Sequence, residues 1–128
     1  EERAYELLDT FGLTEWAHAR AWDIPYGLQR RVEMARAMAV EPKLLLLDEP
    51  TVGMSLREMY ETMDLIRRIK EEFNLTIILI EHRMKVIMDL CERIKAIDFG
   101  EIIADGTPDE IRNNPRVIEA YLGKEVEV

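Results

Sequence analysis

Two adjacent carboxylates, Asp48 and Glu49, stand directly after the apolar run Leu44, Leu45, Leu46, Leu47 and directly before Pro50. An apolar run of that length reads as a strand, and ligands of open α/β sheets gather at the carboxyl edge of the strands. Side chains alternate along a strand, so both acids serve one ligand only if the chain turns there, and Pro50 predicts that turn. One carboxylate could then hold Mg²⁺, directly or through water, while the other polarises a water for in-line attack on phosphorus. A solvated acidic turn after a strand is the plainer alternative. Glu81 and His82 end a second apolar run, residues 76–80, and a neutral imidazole there could hydrogen-bond a terminal phosphate or an attacking water. His18 lacks such neighbours and reads as a surface residue. A third candidate is Tyr26, Gly27, Leu28, Gln29, Arg30 and Arg31, which enter a helix whose first N–H groups could receive an anion close to glycine. Its alternative is an ordinary turn-to-helix junction with a basic face.

These residues need elements to carry them. Residues 2–11 place Ala4, Leu7, Leu8 and Phe11 on one helical face, with Gly12 as the expected cap. Residues 14–23 are less regular. A second helix follows Pro25, with Leu28, Val32, Ala35 and Ala39 on one face and Pro42 at its end. Residues 43–47 and 76–80 read as buried strands, joined by a helix over residues 56–73 that aligns Met59, Met63, Ile66, Ile69 and Phe73. Strand, helix and strand make a right-handed parallel crossover, so the fold class is α/β. A helix over residues 84–91 follows, and residues 94–99 and 101–104 form a hairpin at Gly100 that is expected to continue the sheet. Thr107, Pro108 and Glu110 make a capping box, and Asn114, Pro115 and Gly123 bracket a last short helix.

The 128 residues, 48% hydrophobic and 34% charged, suit one continuous globular domain, with no repeat or Pro-, Gly- or Ser-rich linker. Cys91 cannot pair within the chain and fits a packing role in a reducing compartment. A net charge of -9 argues against a nucleic-acid or anionic-lipid surface, and no apolar run approaches the roughly 20 residues of a bilayer helix. Glu1 and Glu2 stand where a secretory signal would begin, and the missing initiator methionine hints at truncation.

In this order, residues 26–31, 44–50 and 80–82 resemble the signature, Walker B and switch-histidine segments of ABC transporter ATPases. Residues 26–53 and the tail 104–123, with Asp105-Gly106-Thr107-Pro108 and Asn113-Asn114-Pro115, look like the ATP-binding subunits of branched-chain amino-acid importers. The resemblance implies a partial P-loop NTPase-like parallel sheet with flanking helices, its N-terminal part missing. It divides the chain into the end of a helical subdomain (1–23), the signature, Walker B and switch-histidine part of the ATPase core (24–105) and a C-terminal helical tail (106–128). It assigns Mg²⁺ to Asp48, the general base to Glu49 and γ-phosphate sensing to His82. Tyr26, Gly27, Leu28 and Gln29 would meet ATP on a second ATPase subunit, identical or not. Transmembrane permease subunits would be the other partners, with the chain peripheral on the cytoplasmic face of the cell membrane and not inserted. Ile24, Pro25, Tyr26, Gly27 and Leu28 replace the usual Leu-Ser-Gly-Gly-Gln, and Ser55 stands where the segment after Walker B usually has Asp or Asn.

The expected function is ATP hydrolysis that energises uptake of branched-chain amino acids. None of the six glycines stands in a Gly-x-x-x-x-Gly-Lys-Ser/Thr loop, so the chain alone is expected not to bind ATP appreciably and to expose an unpaired, self-associating strand edge. A non-catalytic interaction or regulatory module derived from the same fold is the alternative. A chromosome-maintenance ATPase is disfavoured by the lack of heptads and of a basic groove.

Overall fold

A computed structural model describes residues 1–122, and the chain divides into two compact units, Glu1–Glu81 and His82–Val128. The expectation of one continuous domain is corrected here: the division falls between a strand and a helix, where no linker composition marks it.

The first unit opens with α1 (Glu2–Thr10). Leu7 and Phe11 are buried as expected, whereas Ala4 is exposed. Gly12 takes φ +66°, and the N–H groups of Gly12 and Leu13 bond Asp9 O (3.0 Å) and Leu8 O (2.7 Å), the paired bonds of a Schellman cap. Arg31 and Arg68 donate to the carbonyls of Phe11 and Thr10, satisfying two acceptors at that helix end. Two short 3₁₀ turns, Thr14–Trp16 and Ala21–Asp23, occupy the irregular stretch. The second helix, α2 (Tyr26–Met38), buries Met34, Ala35 and Met38. Ala39 is exposed, and the helix stops before Pro42 because Glu41 turns left-handed at φ +53°.

Strand β1 (Leu44–Asp48) pairs in parallel with β2 (Thr76–Ile80), Leu46 opposite Ile78 and Asp48 opposite Ile80. Between them runs α3 (Leu56–Glu72), which buries Met59, Met63, Leu65, Ile66 and Ile69. Ser55 caps it in a complete capping box with Glu58. The strands are not buried on both faces as their continuous apolar runs suggest. Leu45 and Leu47 are buried, but Leu46 is 67% and Ile78 54% exposed. Only one face of this two-stranded sheet is packed, so its other face stays apolar and open. The two outer ladders have no strand beside them among the described residues.

The second unit begins with α4 (Met84–Leu90). Strands β3 (Ile94–Asp98) and β4 (Glu101–Gly106) pair antiparallel, with Phe99 and Gly100 both at positive φ as a tight I′ turn requires. Among the described residues they form a sheet of their own, with no ladder joining either strand to β1 or β2, so the expected continuation of the sheet is corrected here. Thr107 and Glu110 form the expected capping box of α5 (Pro108–Arg112). A short α6 (Pro115–Val117), capped by Asn114, runs into a π-helical turn, Ile118–Leu122. Ile94, Ala96, Ile111 and Val117 form the core here, and Cys91 packs against it. Gly123 lies outside the described residues. Among those described, no helix is long and apolar enough to cross a membrane.

Candidate functional site

The carboxyl end of β1 is where the chain stops behaving as a strand. The Glu49 N–H donates to Ile80 O at 2.7 Å, extending the parallel ladder by one residue. At Glu49 itself φ is +47°, a left-handed conformation that costs a non-glycine residue about 1–2 kcal/mol. The turn that sequence assigned to Pro50 is therefore made at Glu49, and it breaks the strand alternation between the two acids. Asp48 is exposed and Glu49 half-buried.

The loop that follows is held from two sides. Val52 N–H bonds Glu49 O and Met54 N–H bonds Thr51 O, both at 3.2 Å, so the backbone coils into consecutive turns. Thr51 is fully buried, and its N–H (3.1 Å) and hydroxyl both donate to the Glu81 carboxylate at the end of β2. On the other side the Tyr26 hydroxyl donates to Val52 O at 3.2 Å. Sequence reasoning singled out Glu81 only as a neighbour of His82 and passed over Thr51. The usable signal was a hydroxyl residue just past one strand whose parallel neighbour ends in a carboxylate.

At the start of α2, Pro25 offers no side-chain cap. Gln29 donates its amide to Ile24 O at 2.8 Å, closing the turn that leads into the helix. Gly27 allows a close approach, since a Cβ there would stand 3.1 Å from Glu58 Oε1. Arg30 donates to the Tyr26 oxygen (3.1 Å) and to Glu33 (2.8 Å), and its guanidinium lies over the Tyr26 ring at 5.4 Å. The bond to Glu33, then that to Tyr26, holds the Arg30 pKa above its ordinary value. A cavity of about 130 Å³ beside this turn is lined by Gly27, Arg31, Glu58 and Glu61 among others, and its two carboxylates make it a poor phosphate site. His82 begins the second unit, where it is exposed.

The structure thus gathers Asp48, Glu49, Thr51, Glu81 and Tyr26 around one strand end of the first unit. An oxygen-only donor set suits a hard divalent cation. No group of three His, Cys, Asp or Glu residues able to hold a metal occurs among the described residues. Mg²⁺ fits this sparse set, because it binds through one or two carboxylates with phosphates and waters completing its shell.

The ABC transporter family profile matches residues 1–52, and that of the branched-chain amino acid ATP-binding cassette transporter matches residues 101–127. The chain is 46% identical over 123 residues to the high-affinity branched-chain amino acid transport ATP-binding protein LivG of Escherichia coli K12, covering 96% of this chain and 48% of that protein. BraF of Pseudomonas aeruginosa, with the same description, is 45% identical over the same shares. Among solved structures, the ADP conformation of MJ1267, an ATP-binding cassette of an ABC transporter, superposes with a TM-score of 0.85 at 25% identity, over 95% of this chain and 49% of that one. CbiO1 of Clostridium perfringens, part of the ABC transporter complex cbiONQ, gives 0.81 at 26% identity over 99% and 53%. The chain spans about half the length of the curated relatives it matches. It belongs to the ATP-binding cassette family of ABC transporters, and its likeness runs to the branched-chain amino-acid type.

Proposed function

We propose that this chain supplies the hydrolytic edge of an ABC importer ATPase that energises uptake of branched-chain amino acids. The observation that carries the reading is the pair Asp48 and Glu49 at the carboxyl end of β1, separated by a left-handed turn and backed by a loop clamped to Glu81. Asp48 would hold Mg²⁺, which when bound neutralises charge on the phosphates. Glu49 acts as general base, taking a proton from the attacking water, and His82 hydrogen-bonds the terminal phosphate. The segment 26–29 faces ATP on a second ATPase subunit, through the first-turn N–H groups of α2 rather than through Gln29, whose amide is engaged at Ile24 O. Permease subunits of the membrane receive the energy, so the working place is the cytoplasmic face of the cell membrane. Residues 1–23 end a helical subdomain, 24–105 hold the ATPase motifs and 106–128 form a tail.

The chain by itself carries no phosphate-cradling loop, and its carboxylates repel a triphosphate, so in isolation it is inert. The test is a pair of Mg²⁺-ATP titrations. The isolated chain should show no micromolar binding. A chimera in which it replaces the matching part of LivG should bind and turn over ATP. Micromolar, Mg²⁺-dependent binding by the chain alone, or a folded chimera without turnover, would contradict the proposal.

A further inference from the structure

Position 26 holds a tyrosine where the resembled signature has a glycine, and the ring has a specific destination. Its hydroxyl reaches Val52 O at 3.2 Å, and the ring lies beside Gly53, where a Cβ would make van der Waals contact with it, 3.4 Å from Tyr26 Cε1. Gly53 also takes φ +73°, so the shape of the loop at this point favours glycine. The phenol oxygen accepts from Arg30 Nε at 3.1 Å while it donates to Val52, so both of its roles are filled. Arg30 is fixed in turn by Glu33 at 2.8 Å. Across the loop, the buried Thr51 is anchored to Glu81.

We propose that Tyr26 is a positioning residue: it braces the loop that carries Glu49 against the first turn of α2 within the same chain, so that the signature segment and the hydrolytic carboxylate keep one fixed relation. This deepens the hydrolytic reading of Glu49 and rests on it. The loop over residues 50–54 is held between Tyr26, which bonds the Val52 carbonyl, and Glu81, which accepts both the N–H and the hydroxyl of Thr51, and Glu49 stands at the root of that loop. A shift of the α2 N-terminus is passed to Glu49 through the phenol, and Arg30 holds the phenol at the angle the Val52 carbonyl requires.

The test uses the 128-residue chain and NMR. Tyr26→Phe keeps the ring and removes the hydroxyl, so the Val52 carbonyl resonance should move and amide exchange at Val52 and Met54 should rise about five-fold, the equivalent of a hydrogen bond worth about 1 kcal/mol. Exchange at Ile66 and Ile69 in α3 should stay unchanged. Arg30→Gln should move the same Val52 and Met54 amides by a smaller factor. An unmoved Val52 carbonyl with unchanged Val52 and Met54 exchange in Tyr26→Phe overturns the proposal. In the LivG chimera, Tyr26→Phe should lower kcat at unchanged KM for ATP, whereas a Tyr26 that chiefly contacts nucleotide would raise KM and sink the positioning role. A chimera without turnover even with Tyr26 intact would count against the hydrolytic reading and leave the NMR result to decide the brace.

Discussion

Replacing Thr51 by Val removes one hydroxyl from a fully buried site and keeps the shape. The lost bond runs from a neutral donor to a carboxylate, a class worth about 1.5–3 kcal/mol. Thr51 has no solvent exposure, so water cannot take the hydroxyl's place. The Glu81 carboxylate keeps the Thr51 N–H at 3.1 Å, which spares the backbone turn and puts the expected cost near 2 kcal/mol. Trp16 and Trp22 both lie in the first unit, so their fluorescence in urea follows the unfolding of that unit. With a slope of about 1.5 kcal/mol per molar urea, the midpoint should fall by about 1–2 M. Thr51→Ser retains the hydroxyl and loses one methyl, costing about 1 kcal/mol. A Thr51→Val variant as stable as the parent, or less damaged than Thr51→Ser, would refute the clamp.

Glu49→Gly should be clearly less destabilising than Glu49→Ala, because both lose the side chain but only glycine accepts φ +47° without the Cβ clash; urea midpoints check this, and an alanine variant as stable as the glycine one would mean the left-handed turn carries no strain. Ser55→Ala should cost about 1 kcal/mol by removing the α3 cap. The Glu58 carboxyl is held below its ordinary 4.5, first by the Ser55 N–H and then by its hydroxyl. A lowered carboxyl contributes stability that is fully present above that ordinary value and drains as pH falls through the lower folded value, so Glu58→Gln should flatten the acid side of the stability profile below pH 4.5. Leu46→Lys with Ile78→Thr should weaken self-association in sedimentation at little cost to folding, because both side chains are already more than half exposed on the open face of β1–β2.

The ATPase motifs were legible because each combines a strand or helix boundary with unusual chemistry: four leucines before Asp48 and Glu49, or a Pro-Tyr-Gly entry to a helix. The α/β class and the crossover followed from two continuous apolar runs on either side of a helical periodicity. The local signals at Gly12, Thr107 and Gly100 all act within a few residues, which is why those caps and the hairpin can be read from the chain, whereas the Ser55–Glu58 capping box was passed over. Long-range contacts could not be read in this way. The Thr51–Glu81 and Tyr26–Val52 bonds join residues about 26 to 30 positions apart. Neither partner looks remarkable until a parallel register and a helix entry bring them together. The open face of β1–β2 was missed for a related reason, since a continuous apolar run encodes two faces to cover without saying where the cover comes from. Glu49 hid its conformation because Pro50 offered an easier source for the turn.

The central claim is that Glu49 serves cleavage rather than binding. Single-turnover hydrolysis in the LivG chimera, with nucleotide binding measured on the same samples, tests it most directly. Glu49→Gln should hold Mg²⁺-ATP as tightly as the parent and cleave it at least a hundred-fold more slowly, the usual weight of a lost general base. Cleavage at the parental rate, or a loss of rate explained wholly by weaker ATP binding, would contradict the account.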